Sequence, residues 1–378
     1  VSVLAWLLVL AVLPATLDAF IRLLLTIKAR AWLFGSRGAV VPRRWLVLVP
    51  ARAEGENVEA TLRSVVTSAA GDSVSAVLLL DGPDPAAAAC ARRLGVEVVV
   101  KPAPGPSKAM ALVWAAATLE ERIRQADAVL LVDVGSRLEE GFFARFAWPA
   151  GADAVQAFLC GRGRSVGEAA ARSELLAQHR EDRGRERLGW AVRLRGTGTA
   201  MRPAVALAVL GRLRSAVEDF EMSLLLAAEG YRLQLGPPSP VVLDDKPETV
   251  GAAARQRSRW FAGRFSLLYL QPGAWLRLIW RSPLEGSAFL VELFSRPLTL
   301  TVPARLGAVA ALAWAAGPLA LAAGTVLVAS AALDVIWVMA GTRRGSWGAA
   351  ARLGVAWVAA LLMLPRTFFG WTRVRPRR

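Results

Sequence analysis

The chain has 378 residues, of which 55% are hydrophobic and 20% charged; that much apolar matter exceeds what one water-soluble core needs, which excludes disorder and points to a membrane protein. Lys and Arg number 46 against 30 Asp and Glu, a net charge of +16, so an anionic partner is expected: phospholipid headgroups, nucleic acid or a phosphorylated substrate. Cys90, Cys160 and His179 are the only residues of their types, which excludes a disulfide scaffold and a Cys/His zinc site and leaves the chemistry to carboxylates, arginines and an oxygen-ligated metal.

Residues Val1 to Ile27 are apolar except at a few positions such as Asp18 and Arg22, long enough for one helical span at about 20 residues per crossing. Lys28, Arg30, Arg37, Arg43 and Arg44 follow. The positive-inside rule puts that basic stretch, and the soluble region after it, on the cytoplasmic side. The rival reading, a removable signal peptide, would place cations before the apolar run and a small-residue cleavage site after it.

Short apolar runs then alternate with helical spacing. Trp45 to Val49 reads as a strand, and Val58, Leu62, Val65 and Val66 recur as on a helix face. Val74 to Leu80 and Val96 to Val100 are further strands, Ser107 to Leu119 a helix, and Ala128 to Val132 a fourth strand. Continuous apolar strands separated by helices imply a parallel sheet covered on both faces, an α/β fold. Further on, Phe220 to Glu229 reads as a helix stopped by Gly230, and Gln256, Arg259, Trp260 and Gly263 fall on one helix face at i, i+3, i+4 and i+7.

From Phe289 to Trp371 the chain is again apolar, with Gly317-Pro318 as a turn between one span ending near Ala316 and another from Leu319 to Ala340. A last run, Leu353 to Leu364, precedes Pro365. Three spans here would carry the basic tail Arg373, Arg375, Arg377 and Arg378 to the outer side, against the positive-inside rule. Either Glu285 to Leu300 inserts as well, or the last run is interfacial or re-entrant.

In open α/β sheets ligands bind beyond the carboxyl ends of the strands. Glu54 stands after the first strand, Asp81 after the second, Lys101 or Lys108 after the third, and Asp133 after the fourth. Each alone is an ordinary turn or cap residue; their convergence on one rim is the signal. Asp219 suits a general base at a helix amino terminus, and equally suits the N-cap of that helix.

The order of motifs resembles a membrane-bound family-2 glycosyltransferase of the GT-A (Rossmann-like) fold, the group that includes cellulose, hyaluronan and ceramide glucosyl synthases. Val49-Pro50-Ala51-Arg52-Ala53-Glu54 and Leu80-Asp81-Gly82 are similar to its nucleotide-binding segments, Ser107-Lys108-Ala109-Met110-Ala111-Leu112 to its lysine segment, and Val132-Asp133-Val134-Gly135 to its metal segment. Gly196-Thr197-Gly198-Thr199 resembles the acceptor-side glycines, Glu218-Asp219 the catalytic acidic pair, and Gln256-Arg257-Ser258-Arg259-Trp260 the Q-x-x-R-W signature. The resemblance covers roughly residues 45 to 265.

The resemblance implies that Glu54 and Asp81 contact the base and ribose of a UDP- or GDP-linked sugar. Asp133 would hold a divalent cation, Mg or Mn, bridging the diphosphate. Lys108 and Arg259 add positive charge, Gln256 and Trp260 form a platform beside it, and Asp219 is the general base. Two departures stand out: Gly135 occupies the place of a second metal-segment Asp, as in ceramide glucosyltransferase-like members, and Leu80 precedes Asp81 where two acidic residues are common.

The expected organisation is an anchor at 1–27, a basic juxtamembrane segment at 28–44, a GT-A domain at 45–245, the Q-x-x-R-W and interfacial helices at 246–284, a transmembrane region at 285–372 and a basic tail at 373–378. The expected activity is an inverting transfer of one sugar to a membrane lipid, because few spans are available to form an extrusion channel. The alternatives are a processive or short-chain polysaccharide synthase and a non-catalytic nucleotide-sugar-binding scaffold. The expected location is the plasma membrane of a bacterium, with the catalytic domain cytoplasmic. Scattered arginines and no nucleic-acid motif speak against nucleic acid as the partner. His179, in the charged stretch Gln178 to Arg187, is expected to be a solvated surface residue.

Overall fold

A computed structural model describes residues 2–30, 40–69, 73–295, 298–315, 317–341 and 347–369. Arg37, Arg296, the loop residues Thr342 to Gly345 and the tail arginines lie outside the described residues. The first half of the chain runs α1 (Ser2–Arg30), β1 (Trp45–Ala51), α2 (Val58–Ser68), β2 (Val74–Asp81), α3 (Pro85–Arg93), β3 (Glu97–Lys101), α4 (Lys108–Thr118), α5 (Glu120–Gln125), β4 (Ala128–Leu131), β5 (Ser136–Leu138), α6 (Phe142–Arg145), β6 (Ala154–Gln156), β7 (Phe158–Arg162) and α7 (Val166–Ala177). It continues with α8 (Arg183–Arg187), β8 (Thr199–Met201), α9 (Pro203–Leu210), α10 (Glu218–Glu229), β9 (Leu233–Leu235), β10 (Val241–Asp245), α11 (Val250–Leu270), α12 (Pro272–Arg281), α13 (Pro283–Ser295), α14 (Leu298–Ala313), α15 (Pro318–Gly341) and α16 (Trp347–Phe369).

A seven-stranded sheet in the order β3-β2-β1-β4-β8-β6-β9 forms the centre, and a three-stranded sheet β5-β10-β7 stands beside it. Strands β3, β2, β1 and β4 are parallel, while β8 runs antiparallel to β4 and β6. The first strands are continuous apolar runs because both faces are buried: Leu46 and Leu48 enter one core with α4, α9 and α10, whereas Val47 and Val49 enter the other with α2 and α3. All four parallel strands end on the same rim, with Asp81 paired to Lys101 at the ends of β2 and β3.

Helix α1 packs on α13, α14 and α15, and small and branched residues such as Ala5, Val12, Ala308, Leu312, Ala320 and Leu327 form the seam. Gly317, at φ +119°, makes the turn that sends α15 back along α14. Helices α1, α15 and α16 are long and apolar enough to cross a membrane. The run expected to end near Ala316 as a full span is instead the 16-residue α14, interrupted by Pro303, about 24 Å at 1.5 Å per residue and short of a hydrocarbon layer of about 30 Å. Helix α16 lies along α11 and α7 of the α/β domain, with Trp357 edge-on to Phe261 at 5.3 Å. His179 is exposed, its ring packed on Phe158.

Candidate active site

Beyond β4, the chain turns sharply: the Ser136 N–H donates to the Asp133 carbonyl at 3.0 Å, and Gly135 sits at φ +96°, a conformation that glycine adopts without Cβ strain. The Gly135 N–H donates to Thr61 Oγ1 of α2 at 3.0 Å, and the Asp133 N–H donates to Thr197 Oγ1 at 3.2 Å. The Asp133 carboxylate therefore projects from a turn braced on two sides. Its side chain keeps 38% of its surface open, enough for a ligand to reach it.

Lys108, the first residue of α4, spans the cleft. Its ammonium contacts Asp133 Oδ1 and lies 2.7 Å from Glu218 Oε1 at the start of α10. The backbone of Gly196 passes so close that a Cβ there would stand 3.3 Å from Glu218 Oε1 and 3.4 Å from both Asp133 Oδ2 and Lys108 Nζ. Gln156 holds this strand of loop in place: its Oε1 accepts from the Arg195 N–H at 2.8 Å, and its Nε2 donates to the Thr197 carbonyl at 3.0 Å. Burial alone lowers the Lys108 ammonium's pKa, but Asp133 and Glu218 carry it above the ordinary lysine value, so the charge is permanent. Burial pushes the Asp133 carboxyl up; Lys108 draws it down, Glu218 and Asp244 raise it again, and the net is upward.

Asp219 stands next to Glu218 in the first turn of α10. The N-cap is Val217, so the reading of Asp219 as the cap is corrected; the helix begins two residues earlier than its apolar pattern suggests because the acidic pair is itself helical. Asp219 Oδ1 accepts the Phe220 N–H at 2.7 Å. Burial and then the neighbouring Glu218 charge raise its pKa to about 6, against the pull of Arg264, the Phe220 N–H and Lys108. A carboxylate tuned to that value is suited to accept a proton near neutral pH. The loop ahead of α10 is ordered by buried Glu221, whose Oε2 accepts the N–H groups of Arg214 and Ser215 at 2.9 and 2.7 Å.

Asp81 forms a neighbouring subsite on the same rim. Its Oδ1 accepts the Gly105 N–H at 2.8 Å, with Lys101 at 3.4 Å and Arg52 at 3.6 Å. The Gly105 loop leads directly into Lys108, so Asp81, Asp133 and the acidic pair are joined by contacts along one edge. Glu54 is half-buried before the short 3-10 turn Gly55–Asn57, its carboxylate without a hydrogen-bond partner among the described residues.

On α11, Gln256 and Trp260 are half-buried, Arg259 is exposed, and Trp260 packs against the larger core. What brings this helix to the acidic pair is Gly263, where a Cβ would fall 2.6 Å from Val217 Cγ1. Ser215 Oγ also donates to the Gly263 carbonyl at 3.1 Å. Sequence reasoning named Glu218 only as half of a pair and missed its contact with Lys108. Arg52 was quoted within a motif without a role, and Arg264 was not singled out.

The donor chemistry at Asp133 accepts a hard divalent cation in one form. A cation held by one or two carboxylates, with phosphate oxygens and water completing its shell, is the usual Mg²⁺ arrangement. No group of three His, Cys, Asp or Glu side chains with metal-site geometry occurs among the described residues, so Asp133 fits as a single protein ligand and not as part of an all-protein cage.

Against known proteins, residues 128–369 match the model of "Glycosyl transferase family group 2". That match includes Asp133, the acidic pair and the Q-x-x-R-W segment, and begins after Glu54, Asp81 and Lys108. Among solved structures the chain resembles a mannosyltransferase from Pyrobaculum calidifontis in complex with GDP-Man and Mn²⁺, at 18% identity and a TM-score of 0.54, over 95% of this chain and 99% of that one. It also resembles glucosyl-3-phosphoglycerate synthase from Mycobacterium tuberculosis in complex with Mn²⁺, UDP and glucosyl-3-phosphoglycerate, at 20% identity and a TM-score of 0.40, over 59% of this chain and 79% of that one. A comparison with curated proteins gives no match.

Proposed function

Because the chain belongs to glycosyl transferase family group 2, we propose that it is an inverting transferase that moves a sugar from a nucleotide-diphosphate donor to the hydroxyl of a membrane lipid. The observation that carries this reading is the Lys108 ammonium between Asp133 and Glu218, with Asp219 beside them at a pKa of about 6. Asp219 removes the proton of the acceptor hydroxyl as its oxygen attacks the anomeric carbon, and the bond to the diphosphate breaks on the opposite side. Lys108 and Arg259 offset negative charge on the departing diphosphate. Asp133 would hold the divalent cation, which supplies charge neutralisation at the diphosphate when bound. Glu54 and Asp81 take the base and ribose, and Gln256 and Trp260 flank the donor.

A lipid acceptor is supported by the position of the acidic pair, which α11 joins to α16 and which α12 and α13 connect to the hairpin of α14 and α15. Helix α12 turns Ala274, Trp275 and Leu278 inward and exposes Leu276 and Trp280, the pattern of a helix lying at a headgroup surface. Of the helices long enough to cross, α1 ends in the basic residues Lys28 and Arg30, with Arg43 and Arg44 after it, and these mark the side of the domain by the positive-inside rule. That side is the cytoplasmic one. The test is nucleotide release by the detergent-purified chain from a panel of UDP- and GDP-sugars, followed by mass analysis of extracted lipids. A glycolipid formed with stoichiometric nucleotide release is expected; a soluble polymer as the product would overturn the lipid assignment.

A further inference from the structure

A ring of side-chain and backbone contacts closes behind the Asp133 turn, through charged residues to which the proposed chemistry gives no part. Its middle is Glu174 of α7. Glycines let that helix lie tightly on the small sheet: a Cβ at Gly161 of β7 would fall 2.6 Å from Ala171 Cβ, and one at Gly167 would fall 3.2 Å from the Lys246 carbonyl. Glu174 follows Ala171 by three residues and faces the same way. Its Oε2 is 2.6 Å from Lys246 Nζ, just past β10, and its Oε1 is 3.8 Å from Arg195 Nε. On one arm, Lys246 Nζ donates to Asp244 Oδ2 at 2.5 Å, and Asp244 Oδ1 accepts from Ser136 Oγ at 3.2 Å. Ser136 is the residue whose N–H donates to the Asp133 carbonyl. On the other arm, Arg195 leads directly into Gly196 and into Thr197, whose Oγ1 accepts the Asp133 N–H. Arg195 is fixed in turn by Asp182 and by its own Nη1, which donates to the Arg193 carbonyl at 2.9 Å. Asp182, 1% exposed, ends a π-helical turn, Gln178–Asp182, that continues α7 and packs on α1.

We propose that Glu174 is a positioning residue for Asp133: by holding Lys246 and Arg195 together it clamps the two backbone segments that aim the Asp133 carboxylate into the cleft. The inference rests on the reading of Asp133 as the residue that meets the cation and diphosphate of the donor. Both segments need an external hold, because glycines at positive φ make them compliant: Gly135 at +96° on one side, Gly196 at +78° and Gly198 at +69° on the other. Lys246 and Arg195 carry like charges on separate segments and repel; a carboxylate between them turns that repulsion into attraction to a common centre. Without Glu174, Lys246 keeps Asp244 and Arg195 keeps Asp182. Each arm then stays paired and folded while the tie between them is lost. Groups that orient a metal-binding side chain without touching the metal typically change its affinity by about 10- to 100-fold.

The experiment is calorimetric titration of UDP and of GDP, each with Mn²⁺, into the full chain in detergent, with a thermal melt of every variant. Glu174→Gln weakens binding by roughly 10- to 100-fold while its melting temperature stays close to that of the wild type. Ser136→Ala, a small change that opens the same ring elsewhere, weakens binding in the same direction. The two together lose no more than Glu174→Gln alone, because a ring already open has nothing further to lose. A Glu174→Gln protein that binds as the wild type does, or losses that add in full in the double variant, overturn the proposal; so does a loss of binding that only follows a fall in melting temperature. Asp133→Asn separates the two claims. If that variant binds both nucleotides with Mn²⁺ as tightly as the wild type, the assignment of Asp133 fails; if it binds them weakly and the Glu174 and Ser136 losses add, only the present inference fails.

Discussion

The described helices α1, α14 and α15 share a buried ionic network whose removal has a calculable effect. Asp334 of α15 receives Arg22 Nη2 of α1 at 2.5 Å and also contacts Arg305 of α14. Arg305 Nη1 donates to Ser330 Oγ at 3.0 Å, and Arg22 Nε lies 3.0 Å from Asp18. All four charged residues are at most 4% exposed. Two carboxylates and two guanidinium groups sum to zero, so Asp334→Asn leaves one uncompensated positive charge among apolar helices. Breaking a buried pair in this way costs about 3–5 kcal/mol, a large part of a typical total of about 5–15 kcal/mol. The double change Asp334→Leu with Arg305→Leu restores neutrality, with Asp18 still beside Arg22, and is expected to recover most of that loss. Thermal unfolding in detergent, followed by tryptophan fluorescence, measures both. An Asp334→Asn protein that melts with the wild type, or a double variant no more stable than the single one, would refute the reasoning.

Three further outcomes are expected. Lys108→Met leaves Asp133 and Glu218 facing each other without their shared cation; loss of charge-assisted hydrogen bonds of about 1.5–3 kcal/mol predicts nucleotide binding weaker by roughly 10- to 150-fold in calorimetry. Gly263→Ala puts a methyl group where 2.6 Å separates it from Val217; overpacking of this kind costs about 1–3 kcal/mol, and lowered kcat with a lowered melting temperature checks it. Nucleotide release by the wild type should fall as pH drops through about 6, since Asp219 acts as a base only when ionised and its pKa is raised to that value.

Much of the α/β core is legible from the chain because its strands are buried on both faces. The run Trp45 to Val49 extends only to Ala51, and Val74 to Leu80 only to Asp81. Strands β6, β8 and β9 carry three residues each, too few for any periodicity, so the part of the sheet beyond β4, where β8 alone runs against its neighbours, has no signature. The rim positions Asp81, Lys108 and Asp133 could be placed because strand ends place them. Glu218 and Arg264 could not, since their partners come from distant elements: Lys108 lies 110 positions before Glu218, and Glu292 belongs to a helix whose apolar residues read only as membrane. The same ambiguity governs α14 and α16, where hydropathy registers apolar length and is blind to packing along α11.

The central claim is that Asp219 is the proton acceptor in a sugar transfer, and the most direct measurement compares turnover with binding in the isosteric Asp219→Asn variant. Nucleotide release should fall by about 10²- to 10⁴-fold while calorimetry gives an unchanged affinity for the nucleoside diphosphate. A variant that turns over at close to the wild-type rate would contradict the account.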